Sequence, residues 1–416
     1  MAQYNFEGDI ENISERQLEF INKVVLEQGL TDSKVTIEPV GKVGDNYVAS
    51  VKRINIEGEN GSLSMIAKIA PLNMVVRMTM NTDLMFKNEH LMYTEVLPKL
   101  VQLQRDADVP EEEQLKFAKC YGSLTEQPNE VILLEDLKAL DFVMLDRFES
   151  LSNECVLSVL KNFALLHSLS FALKKKEPET YNYFKDNLKD MWATMAAVPE
   201  TALYFQQLEA NAIQVLDDPD HINIVRHKVA DVLQRAVKMS KSENDKYTVI
   251  QQGDAWTNNI MFKFEEGAVK QSIMIDYQVS KNNTPVHDLV YMIFNCTDYE
   301  TRSKHFYDWI DYYYSELDKS LSEFGLKANF IYPRDQLDAD FKRYGKLMFG
   351  FCVILSSVLT MKPEEAGKMK EAMENYTEDT DISEQMKMSD FHQETVMLFK
   401  KRLIGLIESF TQFGLL

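Results

Sequence analysis

The densest run of polar residues set between apolar segments is Gln252-Gly253-Asp254-Ala255-Trp256-Thr257-Asn258-Asn259. It leads into a strand-like stretch at 260–264, and a second such stretch, 272–275, ends on Asp276. If Glu265-Glu266-Gly267 joins the two as a hairpin, Asp276 returns beside Asn259 and Asp254. Two carboxylates and an amide oxygen around one point suit magnesium, a hard cation that prefers oxygen ligands. The same grouping leaves one carboxylate free to orient a hydroxyl nucleophile. Asp, Asn and Gly also dominate ordinary turns, so this spacing taken alone is equally a turn signature.

Two further residues break the apolar pattern. Lys68 lies in Met65-Ile66-Ala67-Lys68-Ile69-Ala70, on the same side of a strand as Ile66 and Ala70. Glu89 lies in a helical stripe with Met85, Met92 and Val96. Either charge alone reads as a side chain reaching out to water. Together, a Lys68–Glu89 pair satisfies both and aims the ammonium at a nucleotide's phosphates. Gly41-Lys42-Val43-Gly44-Asp45-Asn46-Tyr47 joins two strands, where glycines let backbone N–H groups approach phosphate. With only two glycines, a plain hairpin turn fits that segment nearly as well. Leu133-Leu134-Glu135-Asp136-Leu137 closes the strand-rich half, where a hinge would expose backbone donors and acceptors to an adenine ring.

The elements that must position these residues can be read from periodicity. An amphipathic helix is predicted over 13–30, then strands over 35–40, 47–56 and 63–70, the last two joined by a turn at 57–61. A helix over 83–97 is expected to stop at Pro98, with strands following at 116–121 and 131–134. From 137 the pattern is mostly helical. Val156, Leu160, Phe163, His167 and Ser170 share one face, and a strand-rich island at 248–279 interrupts the helices. The expectation is an α+β, bilobal architecture with a β-rich lobe over 1–136 and a helical lobe over 137–416.

The bulk numbers fit. The chain has 416 residues, 45% apolar and 26% charged, ordinary values for a packed protein of two lobes. Its 65 acidic and 45 basic residues leave a formal charge of −20, a field unfavourable to nucleic acid and anionic membranes. Cys120, Cys155, Cys296 and Cys352 are scattered, as free thiols in a reducing compartment would be, and form no zinc-site spacing. The first ten residues lack the pattern of a secretory signal. The most apolar stretch, 347–361, is shorter than the roughly 20 residues a membrane span needs. A cytoplasmic protein, monomeric by default, is expected.

These residues, in this order, resemble the ecdysteroid kinase-like family, relatives of choline kinases and aminoglycoside phosphotransferases. The resemblance rests on Gly44-Asp45-Asn46-Tyr47, on Glu89 with Tyr93 and Pro98, on Leu134-Glu135-Asp136-Leu137 and on Leu166-His167. Its most specific parts are Gly253-Asp254-Ala255-Trp256-Thr257-Asn258-Asn259-Ile260-Met261-Phe262, Ile275-Asp276-Tyr277-Gln278, and Pro285 with Asp288-Leu289. It implies a protein-kinase-like fold, ATP with magnesium, and phosphorylation of a small-molecule hydroxyl, ecdysteroids being the named precedent. By motif, Asp254 would orient or deprotonate the acceptor, Asn259 and Asp276 would hold metal, and Lys68 would contact phosphates with Glu89 positioning it. Gly44, Asn46, Glu135 and Leu137 would complete the nucleotide site. Asp288 would brace the catalytic loop, while His167, on an apolar face, reads as a core histidine.

One position departs from the family: Gln252 stands where a histidine is usual. An amide still donates and accepts hydrogen bonds, so altered loop stability is expected rather than lost chemistry. A pseudokinase that binds without turnover is the alternative reading, supported by Gln252 and the poor glycine loop. Protein-kinase activity fits less well, because Trp256 occupies the position where a lysine is usual and no Ala-Pro-Glu segment follows. Trp192, Phe306, Trp309 and Tyr313 could wall an apolar pocket. The helical spacing of Phe306, Ile310, Tyr313 and Leu317 instead favours core packing.

Overall fold

Val35, Ile37, Ile54 and Ile56 alternate along their strands and turn one face of an N-terminal sheet inward. That face meets Ile21, Val24 and Val25 of the Glu15–Glu27 helix, and the two surfaces form a closed apolar layer. Ser14 starts this helix with a capping box, its hydroxyl accepting from the Gln17 N–H at 3.1 Å while Gln17 accepts from the Ser14 N–H at 2.8 Å. The structure, a computed structural model, describes residues 6–30, 33–41, 49–241, 245–374 and 390–416.

The sheet comprises β1 (Phe6–Gly8), β2 (Lys34–Pro39), β3 (Ser50–Gly58), β4 (Gly61–Ile69), β5 (Cys120–Leu124) and β6 (Val131–Glu135). Its spatial order is β1-β2-β3-β4-β6-β5. β3 and β4 form the expected hairpin, with Gly58 opposite Gly61. In β4, Met65, Ala67 and Ile69 face the helix layer, so Lys68 points to the opposite face, beside Ile132 on β6.

The helix expected to stop at Pro98 instead continues through it. Thr82–Leu91 is α-helical, Met92–Val96 forms a wider π-helical turn, and Leu97–Asp106 resumes as α-helix with Pro98 in its first turn. The wide turn clears room for the pyrrolidine ring, and a first-turn residue needs no intrahelical N–H bond. The strand expected at 116–121 begins only at Cys120. Upstream, the Leu115 N–H goes to the Gln104 side chain at 2.8 Å rather than to a neighbouring strand.

Beyond Glu135 the chain is mostly helical. The Asn153–Lys176 helix packs against Tyr299–Glu323, while Pro285–Cys296 is buried at every position. Among the described residues, Asn153–Lys176 is the one helix long and apolar enough to cross a membrane, and most of it is buried inside this lobe. Residues 347–361 fall largely in the core helix Arg334–Leu359. Phe306, Ile310, Tyr313 and Leu317 are core residues, as their spacing predicts. Among the described residues, four short strands interrupt the helices: β7 (Val143–Met144), β8 (Val249–Ile250), β9 (Ile260–Glu265) and β10 (Ala268–Met274). A fifth, β11 (Asn282–Asn283), pairs with β8, and β9 and β10 form the predicted hairpin.

Candidate active site

The loop that follows β8 carries Asp254, and its shape depends on Gly253. That residue has φ of +92°, and a Cβ there would lie 2.9 Å from the Val279 carbonyl oxygen. Downstream, the Trp256 N–H bonds the Asp254 carbonyl at 2.9 Å and the Asn259 N–H bonds the Trp256 carbonyl at 2.8 Å. The resulting tight turn folds Asn259 back on the loop. Its Nδ2 donates to the Asp254 carbonyl at 2.9 Å and to Asp254 Oδ2 at 3.0 Å.

The β9–β10 hairpin then returns the chain as sequence spacing requires. Met274 lies opposite Ile260, and the Ile275 N–H bonds the Asn259 carbonyl at 2.9 Å. Asp276, next in line, adopts φ of +60°, a left-handed conformation uncommon for a residue other than glycine. Its carboxylate meets Lys68 Nζ of β4 at 2.8 Å. Lys68 also donates to Glu89 Oε2 at 2.6 Å and to Gln278 Oε1 at 3.2 Å. The Lys68–Glu89 pair expected from the sequence is therefore present, and Asp276 joins it.

The electrostatics follow from burial and proximity. Burial opposes a charge on Lys68, but Asp276 and Glu89 outweigh it and hold the ammonium protonated. Burial pushes the Glu89 carboxyl up against the pull of Lys68. Asp254 is pushed up to about 7, first by burial and then by the negative charge of Asp276. The Tyr291 hydroxyl works in the other direction, donating to Asp254 Oδ1 at 2.6 Å.

Asp288 sits beneath the loop, fully buried. Its two oxygens accept the N–H groups of Gln252 at 2.9 Å and Gly253 at 2.8 Å. His167 lies behind it, with Nε2 3.1 Å from Asp288 and Nδ1 2.8 Å from the Tyr313 hydroxyl, a core histidine with both ring nitrogens engaged. The Gln252 side chain donates to the Ile275 and Asp276 carbonyls at 2.9 and 3.0 Å and accepts the Asp254 N–H at 2.6 Å.

The structure thus gathers Lys68, Glu89 and Asp276 into one cluster, with Asp254 and Asn259 beside it. Glu135 and Leu137 stand on the adjoining strand and its exit, beyond Ile132. There Asp136 fixes the bend through Arg53 at 2.6 Å and Ser64 at 2.8 Å. Gly44 and Asn46 lie outside the described residues.

Two contributors are not apparent from the sequence. Tyr291 reads as one more apolar residue of a core helix, although it lies three residues after Asp288 and so on the same face. Asn88 reads as a polar neighbour of Glu89. Its Nδ2 donates to the Lys189 carbonyl at 2.9 Å and the Gln278 carbonyl at 3.2 Å, and its Oδ1 accepts the Lys189 N–H at 2.9 Å.

As metal donors, the Asp276 carboxylate and the Asn259 amide oxygen form a small hard-oxygen set. Magnesium is typically held by one or two protein carboxylates, with water and phosphate completing its shell, and these residues fit it. Among the described residues no cluster of three or more His, Cys, Asp or Glu side chains offers an all-protein cage.

A sheet lobe whose lysine meets the end of a helical lobe's hairpin is a bilobal, protein-kinase-like arrangement, and the chain is of that class. Within the class, the sequence profile of the ecdysteroid kinase-like family matches residues 43–326, and the chain belongs to that family. Membership supports a small-molecule kinase as the activity class. Among solved structures, an ethanolamine kinase from Plasmodium vivax is 12% identical, with a TM-score of 0.45 over 96% of this chain and 90% of its own. The GDP and kanamycin complex of APH(2")-IIia is 11% identical, with a TM-score of 0.46 over 88% of this chain and 96% of its own. No curated protein matches the sequence.

Proposed function

We propose that the protein is a cytoplasmic, monomeric kinase that transfers the γ-phosphoryl group of ATP to a hydroxyl of a small molecule, an ecdysteroid or related alcohol. The observation that carries the reading is the convergence of Lys68, Glu89 and Asp276 beside Asp254 and Asn259. Lys68, steadied by Glu89, would hold the α and β phosphates, and the edge at Glu135 and Leu137 would meet the adenine. Asn259 and Asp276 would hold magnesium, which when bound offsets charge on the phosphoryl oxygens. Asp254 then aligns the acceptor hydroxyl. The acceptor oxygen bonds to the γ-phosphorus as the bond from that phosphorus to the β–γ bridging oxygen breaks. The hydroxyl proton passes to Asp254, and ADP carries away the bonding electrons.

The pseudokinase alternative drew on Gln252 and on the poor glycine loop; the three side-chain bonds that Gln252 makes weigh against the first, and the second lies mostly outside the described residues. The test is magnesium-dependent transfer of labelled γ-phosphate from ATP to ecdysteroids, choline, ethanolamine and mixed plant alcohols, with Asp254→Asn run in parallel. A labelled product with the wild type and none with Asp254→Asn is expected. ATP binding without turnover on any acceptor would favour the pseudokinase, and no ATP binding would exclude a kinase.

A further inference from the structure

We infer that Tyr291 is a positioning residue for the transfer, its hydroxyl locking the Asp254 carboxylate so that a fixed pair of oxygen lone pairs faces the acceptor. The inference rests on the kinase reading above and adds a residue to it. A carboxylate offers about four acceptor sites and turns freely about its last bond in the absence of partners. Asn259 holds Oδ2 at 3.0 Å from the loop side, and Tyr291 holds Oδ1 at 2.6 Å from the helix side. With both oxygens pinned, rotation stops and only the remaining lone pairs can receive an acceptor's proton.

Tyr291 is itself held. It lies in the buried helix Pro285–Cys296, and its ring stacks on His287 at 5.9 Å with planes 10° apart. Asp288, three residues earlier on the same helix, fixes the loop backbone through the Gln252 and Gly253 N–H groups. One rigid helix thus sets the backbone that carries the carboxylate and also the direction in which the carboxylate points. Burial and the adjacent Asp254 push the phenol well above its usual range, so it stays a donor at neutral pH.

Tyr291→Phe removes the hydroxyl and keeps the ring and its stack. Three quantities test it: the affinity for MgATP by calorimetry, KM for ATP, and kcat, the last with the alcohol found in the transfer screen and with water through ADP release. The expected result is a kcat lower by on the order of 10²-fold, with MgATP affinity and KM for ATP unchanged. Tyr291→Phe in an Asp254→Asn background should cost no more than Asp254→Asn alone, because the tyrosine acts only through that carboxylate. A wild-type kcat in Tyr291→Phe, a parallel loss of MgATP affinity, or a further loss in the double variant would each overturn the inference. A wild-type protein that binds no MgATP and forms no ADP would remove the kinase reading, and this inference with it.

Discussion

The side-chain amide nitrogen and oxygen of Gln252 are both engaged, which makes the residue a tie between its own loop and the segment that follows β10. Its amide bonds the Asp276 carbonyl while Asp276 holds its left-handed backbone, and so helps aim the carboxylate at Lys68. A neutral imidazole supplies one donor and one acceptor, so Gln252→His should forfeit one of the three bonds. One such bond, about 1 kcal/mol, corresponds to a roughly fivefold lower kcat. Steady-state rates check this, and a rate equal to or above the wild type's would contradict it. Asp254 gives a pH test. Burial and Asp276 push its carboxyl up to about 7, above the usual 3.8 of an aspartate, so the folded protein binds this proton more tightly than the unfolded chain. The stability it contributes is fully present below about pH 4 and is lost as pH rises through 7. Without metal, the Tm of Asp254→Asn should therefore gain on wild type between pH 5 and 7.5. A constant gap would show that Asp254 titrates normally. Lys68, Glu89, Asp254, Asn259 and Asp276 were legible because charged and amide residues stand out against apolar surroundings. Tyr291 was not, since a tyrosine in an apolar helix looks like packing.

Secondary-structure elements place these residues through their irregularities as much as through their regular parts. The π-helical turn at Met92–Val96 lets one continuous rod run from Thr82 to Asp106 despite Pro98. Near its start, Asn88 ties that rod to the segment after Asp276 and to the Lys189 backbone, while Glu89 turns toward Lys68. Asn88→Ala would leave four backbone groups, the Ser280 carbonyl among them, in search of partners, at about 1–3 kcal/mol for each one that stays buried and unpaired. Its expected signature is a raised KM for MgATP together with a lower denaturation midpoint. An unchanged KM would mean that the helix holds its place without the clamp. Periodicity located the hairpins at 57–61 and 265–267 because turn residues and alternation agree there. It failed at Pro98, since a π-helical turn leaves no distinct apolar period to read.

At the scale of the whole molecule, the two lobes share a core. One apolar cluster runs from Ala70, Phe86, Ile132 and Leu134 of the sheet lobe into the helical lobe without a break, and a smaller cluster lies beneath the outer sheet face. Heat should therefore unfold the protein in a single cooperative transition, with MgATP at a hundred times its Kd adding about 2.7 kcal/mol. Two resolved peaks in a calorimetric scan would contradict the shared core. The bilobal plan was legible from the change in periodicity near residue 137. The continuity of the core was not, because it depends on contacts between distant parts of the chain. The stretch from Tyr277 to Thr284 runs directly from Asp276 into the Pro285–Cys296 helix, and its Ser280 and Thr284 are buried. Tyr277 is buried as well, so another enzyme would find no exposed hydroxyl on it to modify and no long loop to reorder. For the kinase proposed here, this stretch therefore offers no switch.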